Sequence, residues 1–397
     1  MAQRIIYWFR NDLRLRDNEA LFSAVASADE ILPVYVFDPR QFDKTKLGFR
    51  RTGAMRAQFL IDVVLDLKKR LQEKGGDLLI RVGEPEKIIA QLAEEFNAQY
   101  VYTSKEIAPS ETSIESSLSK NLKTVNIDIK LFWMDTLISA AELPFSIAKL
   151  PSNSDTFKDL IKDKVTMKQP LAEPQEINLP ETFEAGPIPT LEALGFATEE
   201  CNGIQHLKGE KSGELQAQDI LQEYLSNYPK ANKDFESTDP LTDTRLSDWL
   251  SVGCISARYI YDCIVKAQAE QAETDRMIDN LLSRDYFHWT LLRYGPRLFK
   301  PSGVKHNFLR RWQNDNALYE TWINAKTVDP LVNTLMEKLK LNGFLTSSER
   351  TICANFLVNE LGINWTWGAM YFESHLIDYE GSVNWGRWNN IAGVGEN

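Results

Sequence analysis

The chain has 397 residues, 43% of them hydrophobic and 25% charged, which excludes a disordered protein and gives enough material for two to three domains with real cores. Its net charge of -11 at pH 7 excludes wholesale adhesion to nucleic acid while leaving room for a local basic face. The four cysteines (Cys201, Cys254, Cys263, Cys353) form no C-x-x-C and no ligand cluster with the four histidines, so they read as reduced thiols and no metal is expected. The opening "MAQRIIYWFRND" puts charge where a secretory signal needs an apolar core, and no apolar run approaches a membrane span, so a cytoplasmic protein without a membrane partner is expected.

In chain order, residues 1–135 alternate β-rich runs with helical stretches. "RIIYWF" (4–9), "ILPVYVF" (31–37), "DLLIRV" (77–82), "AQYVYT" (98–103) and "IDIKLFW" (127–133) predict strands. Between them "NEALFSAVASA", "AMRAQFLIDVVLDLKKRLQEK" and "EKIIAQLAEEF" carry apolar residues at helical spacing, and Gly75 and Gly76 end the second as a helix C-terminus should. That order implies a doubly wound parallel sheet covered on both faces, an α/β domain. It holds no G-x-G-x-x-G, so a dinucleotide must be held elsewhere. Residues 136–205 read as a linker, since seven of the sixteen prolines fall between Pro144 and Pro189. Residues 206–397 are helical almost throughout, in "GELQAQDILQEYLSNY", "LSDWLSVGCISARYIYDCIVKAQAE", "MIDNLLSRDYFHWTLLRYG", "ERTICANFLVNELG" and "WTWGAMYFESHLIDY".

The stretch "DYEGSVNWGRWNN" (378–390) sets two tryptophans, Trp385 and Trp388, three apart; on a helix they share a face and pack as core aromatics. More segments join it. "IIYWFRNDLRLRDNEAL", "LPFSIAKLP", "DTRLSDWLSVGCISAR", "RDYFHWTLLRYGPRLF", "FLVNELGINWTWGAMYFESHLIDYE" and "NWGRWNNIAGVG" together resemble the DNA photolyase/cryptochrome family, most closely its DASH-type cryptochromes, in family order from Ile5 to Gly395. The resemblance implies an all-α domain that binds FAD, and a folate antenna near the α/β domain, with Glu106 as a candidate contact.

The resemblance also implies site residues. Asp378 would bond the flavin side of FAD with Arg350 as its partner, and Asn384 would face the flavin N5, where an amide can donate or accept. Trp388, Trp365 and Trp312 fall on the proximal, middle and surface members of an electron-transfer series. Thr244, Arg245, Leu246 and Ser247 match a segment that holds the FAD diphosphate, and Tyr228, Arg284 and Glu380 complete the cofactor set. Two departures stand out: Asp243 replaces a hydroxyl residue, and either repels phosphate or simply caps the helix that follows; Ser347 replaces an asparagine.

Photolyases grip a flipped pyrimidine dimer with a glutamate and two aromatics, and here those positions hold Asn280, Ser283 and Asn390, with Thr351 in place of a methionine. The expectation is a blue-light photoreceptor that reduces FAD through its tryptophans and signals to an unnamed protein. Two rivals stay open: a light-driven repair lyase with a reshaped pocket, and a cofactor-free binding protein on the same fold. Six Lys/Arg and no acid between Tyr286 and Asn314 (Arg293, Arg297, Lys300, Lys305, Arg310, Arg311) form either a stripe for DNA or RNA or a solvated basic face. Relatives continue through more helix where this chain stops at Asn397, which implies a thinner cover over the cavity.

Overall fold

The structure, a computed structural model, describes residues 3–204, 212–227, 239–267 and 271–396. Five strands, β1 (Arg4–Phe9), β2 (Glu30–Phe37), β3 (Leu79–Val82), β4 (Tyr100–Ser104) and β5 (Asp128–Phe132), form one parallel sheet in the order β3-β2-β1-β4-β5. Side-chain alternation splits its residues between two cores. Ile6, Trp8, Leu32, Val34, Val36, Leu79 and Val101 pack under the helices Pro85–Glu95 and Pro109–Thr124. Ile5, Tyr7, Phe9, Ile31, Tyr35, Phe37 and Ile80 face the other way, into a core that runs on through linker residues such as Phe157 and Ile177 to Trp289. A third core, built around Trp322, Phe372 and Trp388, belongs to the C-terminal helices.

The segment "RNDLRLRDN" after β1 is a clamp between the sheet and the helices. Arg14 donates to the carbonyls of Asp17, Met134 and Gly253, while Asp17 accepts from Ser256 and pairs with Arg258. This approach explains a break that sequence periodicity does not anticipate. The expected continuous helix from Leu246 divides into Leu246–Ser251 and Ala257–Ala267, because Gly253 sits at φ +72 with the Asn11 carbonyl oxygen 1.9 Å from where a Cβ would stand.

Among the described residues, Pro109–Thr124, Asn316–Ile323 and Pro330–Asn342 are helices outside the sequence expectations, as is the short Pro240–Asp243, while the linker carries the helical pieces Ser154–Lys164 and Thr198–Asn202. The first is polar except for a narrow stripe, with Leu118 and Leu122 at the sheet, too thin a signal among so many serines and threonines.

Candidate functional site

Three helices each turn one stripe toward a common cavity with about 1190 Å³ of space, its open mouth included. Helix Gln271–Tyr294 presents Asn280, Ser283, Arg284 and Phe287; helix Ser347–Asn355 presents Ser347, Arg350, Thr351 and Ala354; helix Gly381–Ile391 presents Asn384, Arg387, Trp388 and Ile391. In each the spacing is three and four residues, one face of a helix. The segment from Asp239 to Leu250 closes the fourth side.

The deepest charges are paired. One Arg350 Nη lies 2.9 and 2.8 Å from the two oxygens of buried Asp378, and Ser247 Oγ donates to the same carboxylate at 2.7 Å. Asn384, also buried, donates from Nδ2 to the Ala369 carbonyl at 3.1 Å. Arg284 donates to Glu380 at 2.7 Å and to the Asp135 carboxylate. Arg387 reaches Ser347 Oγ at 2.8 Å and Asp239 at 2.6 Å.

Of the segment expected at the diphosphate, Ser247 alone lines this cavity. Leu246 is fully buried in the core, Thr244 Oγ1 bonds back to the Pro240 carbonyl, and Arg245, in a left-handed conformation at φ 63, pairs with Asp248 and lies over Phe344. Arg245 and Asp248 line a separate, smaller cavity. Asp243 does not cap the following helix: it ends the short helix Pro240–Asp243, whose cap is Asp239, accepting from the Thr242 N–H. Tyr228 lies outside the described residues. Arg387, Asp239, His288 and Asp135 were not among the sequence candidates, although Arg387 stands one turn beyond Asn384 and His288 one turn beyond Arg284, which helical spacing alone would flag.

The tryptophans run outward from this cavity. Trp388 is on its wall at 2% exposure, Trp365 is wholly buried, and Trp312 is half-buried at the surface. Gly368, one turn after Trp365, lets the Trp388 ring approach so closely that a Cβ would stand 2.3 Å from it. The Trp365 and Trp312 indoles both donate to the Pro301 carbonyl at 3.0 Å. Trp385 packs edge-on against Trp365 at 5.8 Å, its N–H on Glu373 and Tyr379, so it is the core aromatic of the pair.

The mouth has a different character. Asn280 donates to the Arg276 carbonyl, Ser283 to that of Asp279 and Thr351 to that of Ser347, each four residues back on its own helix. Asn390 completes this rim, and the aromatic pair that walls in a flipped dimer has no counterpart at these positions.

A second cavity, about 1880 Å³ with its mouth, opens at the C-terminal ends of the strands, where β1 and β4 carry the reversal of strand order. Trp8, Tyr35, Phe299 and Tyr379 give it aromatic walls, and Arg10, Arg51 and Arg56 its cations. Glu106 lies here too, half-buried, and burial raises its carboxyl to about 7. Tyr379 and Glu380 line both cavities.

The main cavity suits FAD by the chemistry of its donors: neutral hydroxyls and amides, three arginines that each already hold an acid, and apolar walls from Leu250, Phe287, Phe372 and Leu376. Comparison with known proteins agrees. The DNA photolyase family profile matches residues 5–175, and the profile of the FAD binding domain of DNA photolyase matches residues 277–397. The chain is 35% identical over 402 residues to the cryptochrome DASH of Gloeobacter violaceus, covering 99% of this chain and 80% of that one. It is 36% identical to the cryptochrome DASH of a Synechocystis strain, over 98% and 81% of the two chains. The crystal structure of a Synechocystis cryptochrome superposes with a TM-score of 0.90 at 34% identity, over 100% of this chain and 83% of that one. The chain therefore belongs to the DNA photolyase/cryptochrome family, with that family's FAD-binding domain in its helical half.

Proposed function

We propose that the protein is a cytoplasmic blue-light photoreceptor that reduces its FAD through Trp388, Trp365 and Trp312 and passes the change to a signalling protein. When bound, FAD supplies the blue-light absorption and the one-electron acceptor. The chain supplies the setting. Asp378, fixed by Arg350 and Ser247, and the amide of Asn384 would hold the ring system, while Ser247, Arg284 and Arg387 are the donors for the rest of the cofactor. The observation that carries the reading is the run of indoles from cavity wall to surface: Trp388 against the helix that starts at Trp365, and Trp365 joined to Trp312 through one carbonyl. Burial keeps the first two away from solvent, and the half-exposed third can exchange electrons with an external donor.

Within this reading residues 1–135 form an antenna domain, 136–205 a linker and 206–397 the FAD domain. The second cavity takes a folate, its aromatic walls for the ring, its arginines for the carboxylates, and Glu106 for a ring N–H. DNA or RNA would meet the Arg293 to Arg311 stretch, where Arg297, Lys300, Lys305 and Arg311 are exposed. No helix among the described residues is long and apolar enough to cross a membrane.

The test is an absorption spectrum of the purified protein before and during blue illumination with an external reductant. Flavin bands that bleach in the light are the expected result. A protein without flavin bands, or with bands that do not bleach, overturns the reading.

A further inference from the structure

Between the two cavities lies a group of four charges on three separate elements, its two cations buried and its two acids half-buried. Arg284 and His288, one turn apart on helix Gln271–Tyr294, grip Asp135, just after β5, and Glu380, at the start of helix Gly381–Ile391. His288 Nε2 meets Asp135 Oδ2 at 2.5 Å, while Nδ1 lies 3.1 Å from both Glu380 Oε1 and Ser382 Oγ and 3.2 Å from the Arg284 carbonyl oxygen. Glu380 holds the N-cap position of helix Gly381–Ile391 yet makes no cap bond; its carboxylate is committed to Arg284, His288 and Ser382. That helix carries Asn384 and Trp388 into the main cavity.

We infer that His288 is a positioning residue: by holding Glu380 against Asp135 it sets the seat of the helix that bears Asn384 and Trp388, and so the retention of the main-cavity cofactor. The inference rests on the reading that this cofactor is FAD. Two acids flanked by one arginine leave an excess negative charge, and a cationic imidazole with one N–H on Asp135 and its other edge against Glu380, Ser382 and the Arg284 carbonyl neutralises that charge and ties the two carboxylates to one ring. Burial alone would lower the His288 pKa, but Asp135 and Glu380 outweigh it and the opposing Arg284, raising it to about 9. Asp285, next along the helix, bonds the Leu137 and Ile138 N–H groups, and burial pushes its carboxyl up to about 7. A metal at the same carboxylates would have to displace that proton, so the charged imidazole is the better occupant. Because the His288 pKa is raised above its ordinary value, its contribution is whole below about pH 6.5 and is lost as the pH rises through about 9.

The experiment is equilibrium dialysis of the FAD-loaded full chain at pH 7 and pH 9.5, read by flavin absorbance, for wild type, His288→Gln and His288→Lys. Wild type should release FAD about tenfold more readily at pH 9.5, His288→Gln should release it at both pH values as wild type does at pH 9.5, and His288→Lys, charged at both, should retain it at both. Parallel pH profiles for wild type and His288→Gln overturn the inference. Should His288→Gln fail to fold, an unchanged wild-type retention between the two pH values overturns it equally. A wild type that binds no FAD even at pH 7 rejects the FAD reading itself, and this inference with it.

Discussion

The floor and the mouth of the main cavity share its three helices and obey opposite rules. On the floor every charge is spoken for by another element: Asp378 by Arg350 and Ser247, Glu380 by Arg284 and His288. At the mouth Asn280, Ser283 and Thr351 turn inward on their own helices and bond the carbonyl four residues back. A floor knit across elements costs much to alter, because each loss leaves a buried group unpaired. A mouth of self-satisfied side chains costs little to alter, and it offers a visiting base neither charge assistance nor a ring to stack on. Paired charges line the floor, and the acid and aromatic pair of a dimer clamp are missing from the mouth positions 280, 283 and 390.

The contrast is sharpest in the electron path. Trp365→Phe should leave FAD bound and remove most of the photoreduction, measured as the rate of flavin bleaching with external donor limited. Reduction as fast as in the parent would detach the tryptophans from the floor's function. Next in size, Asp378→Asn strands the Arg350 charge in a buried site and should cost about 3 to 5 kcal/mol, seen as a lower Tm and faster FAD loss. If both are unchanged, Asp378 is not part of a coupled floor. Gly368→Ala drives a methyl into Trp388 and Leu357, and a destabilisation of about 1 to 3 kcal/mol in denaturant titration is expected. Smallest should be the mouth: Thr351→Ala, with its exposed hydroxyl, ought to stay within about 0.5 kcal/mol of the parent. Ser283→Trp with Asn280→Glu should instead add affinity for a dimer-containing single strand, about 1 to 3 kcal/mol per stacked base, read by fluorescence anisotropy. The parent, illuminated with reduced FAD and such a strand, should restore no thymine; repair at the rate of a working photolyase would erase the distinction between the two regions.

Much of this was legible in the chain itself. The parallel sheet follows from β-rich runs separated by amphipathic helices, and the helix stripes at 280/284, 347/350 and 384/388 follow from period. What sequence could not show is which partner a side chain chooses across elements. Arg245 is itself part of the expected diphosphate segment, yet a left-handed backbone turns it to Asp248 and Phe344, away from the cavity. Asp243 fits the place of a cap for the helix that follows, but Pro240 starts a short helix capped by Asp239 and ending at Asp243, and the next helix begins from Arg245 without a side-chain cap. His288 and Asp135 stand 153 positions apart in the chain, and only the docking of the helices on the sheet makes them a pair. Local rules write the elements; long-range charge pairing is decided by how those elements meet.

The Pro301 carbonyl, shared by the indoles of Trp365 and Trp312, has an electrical consequence. A fixed dipole whose negative end lies between two oxidisable rings stabilises a positive charge on either of them, so moving that charge from one ring to the other leaves the dipole where it was. Two N–H groups, each at 3.0 Å, hold the oxygen between the rings from both sides. The hop at this junction should therefore need little reorganisation, with driving force and distance setting its speed. A change that drew this oxygen away from one of the two N–H groups should slow exchange between the rings while leaving every tryptophan in place.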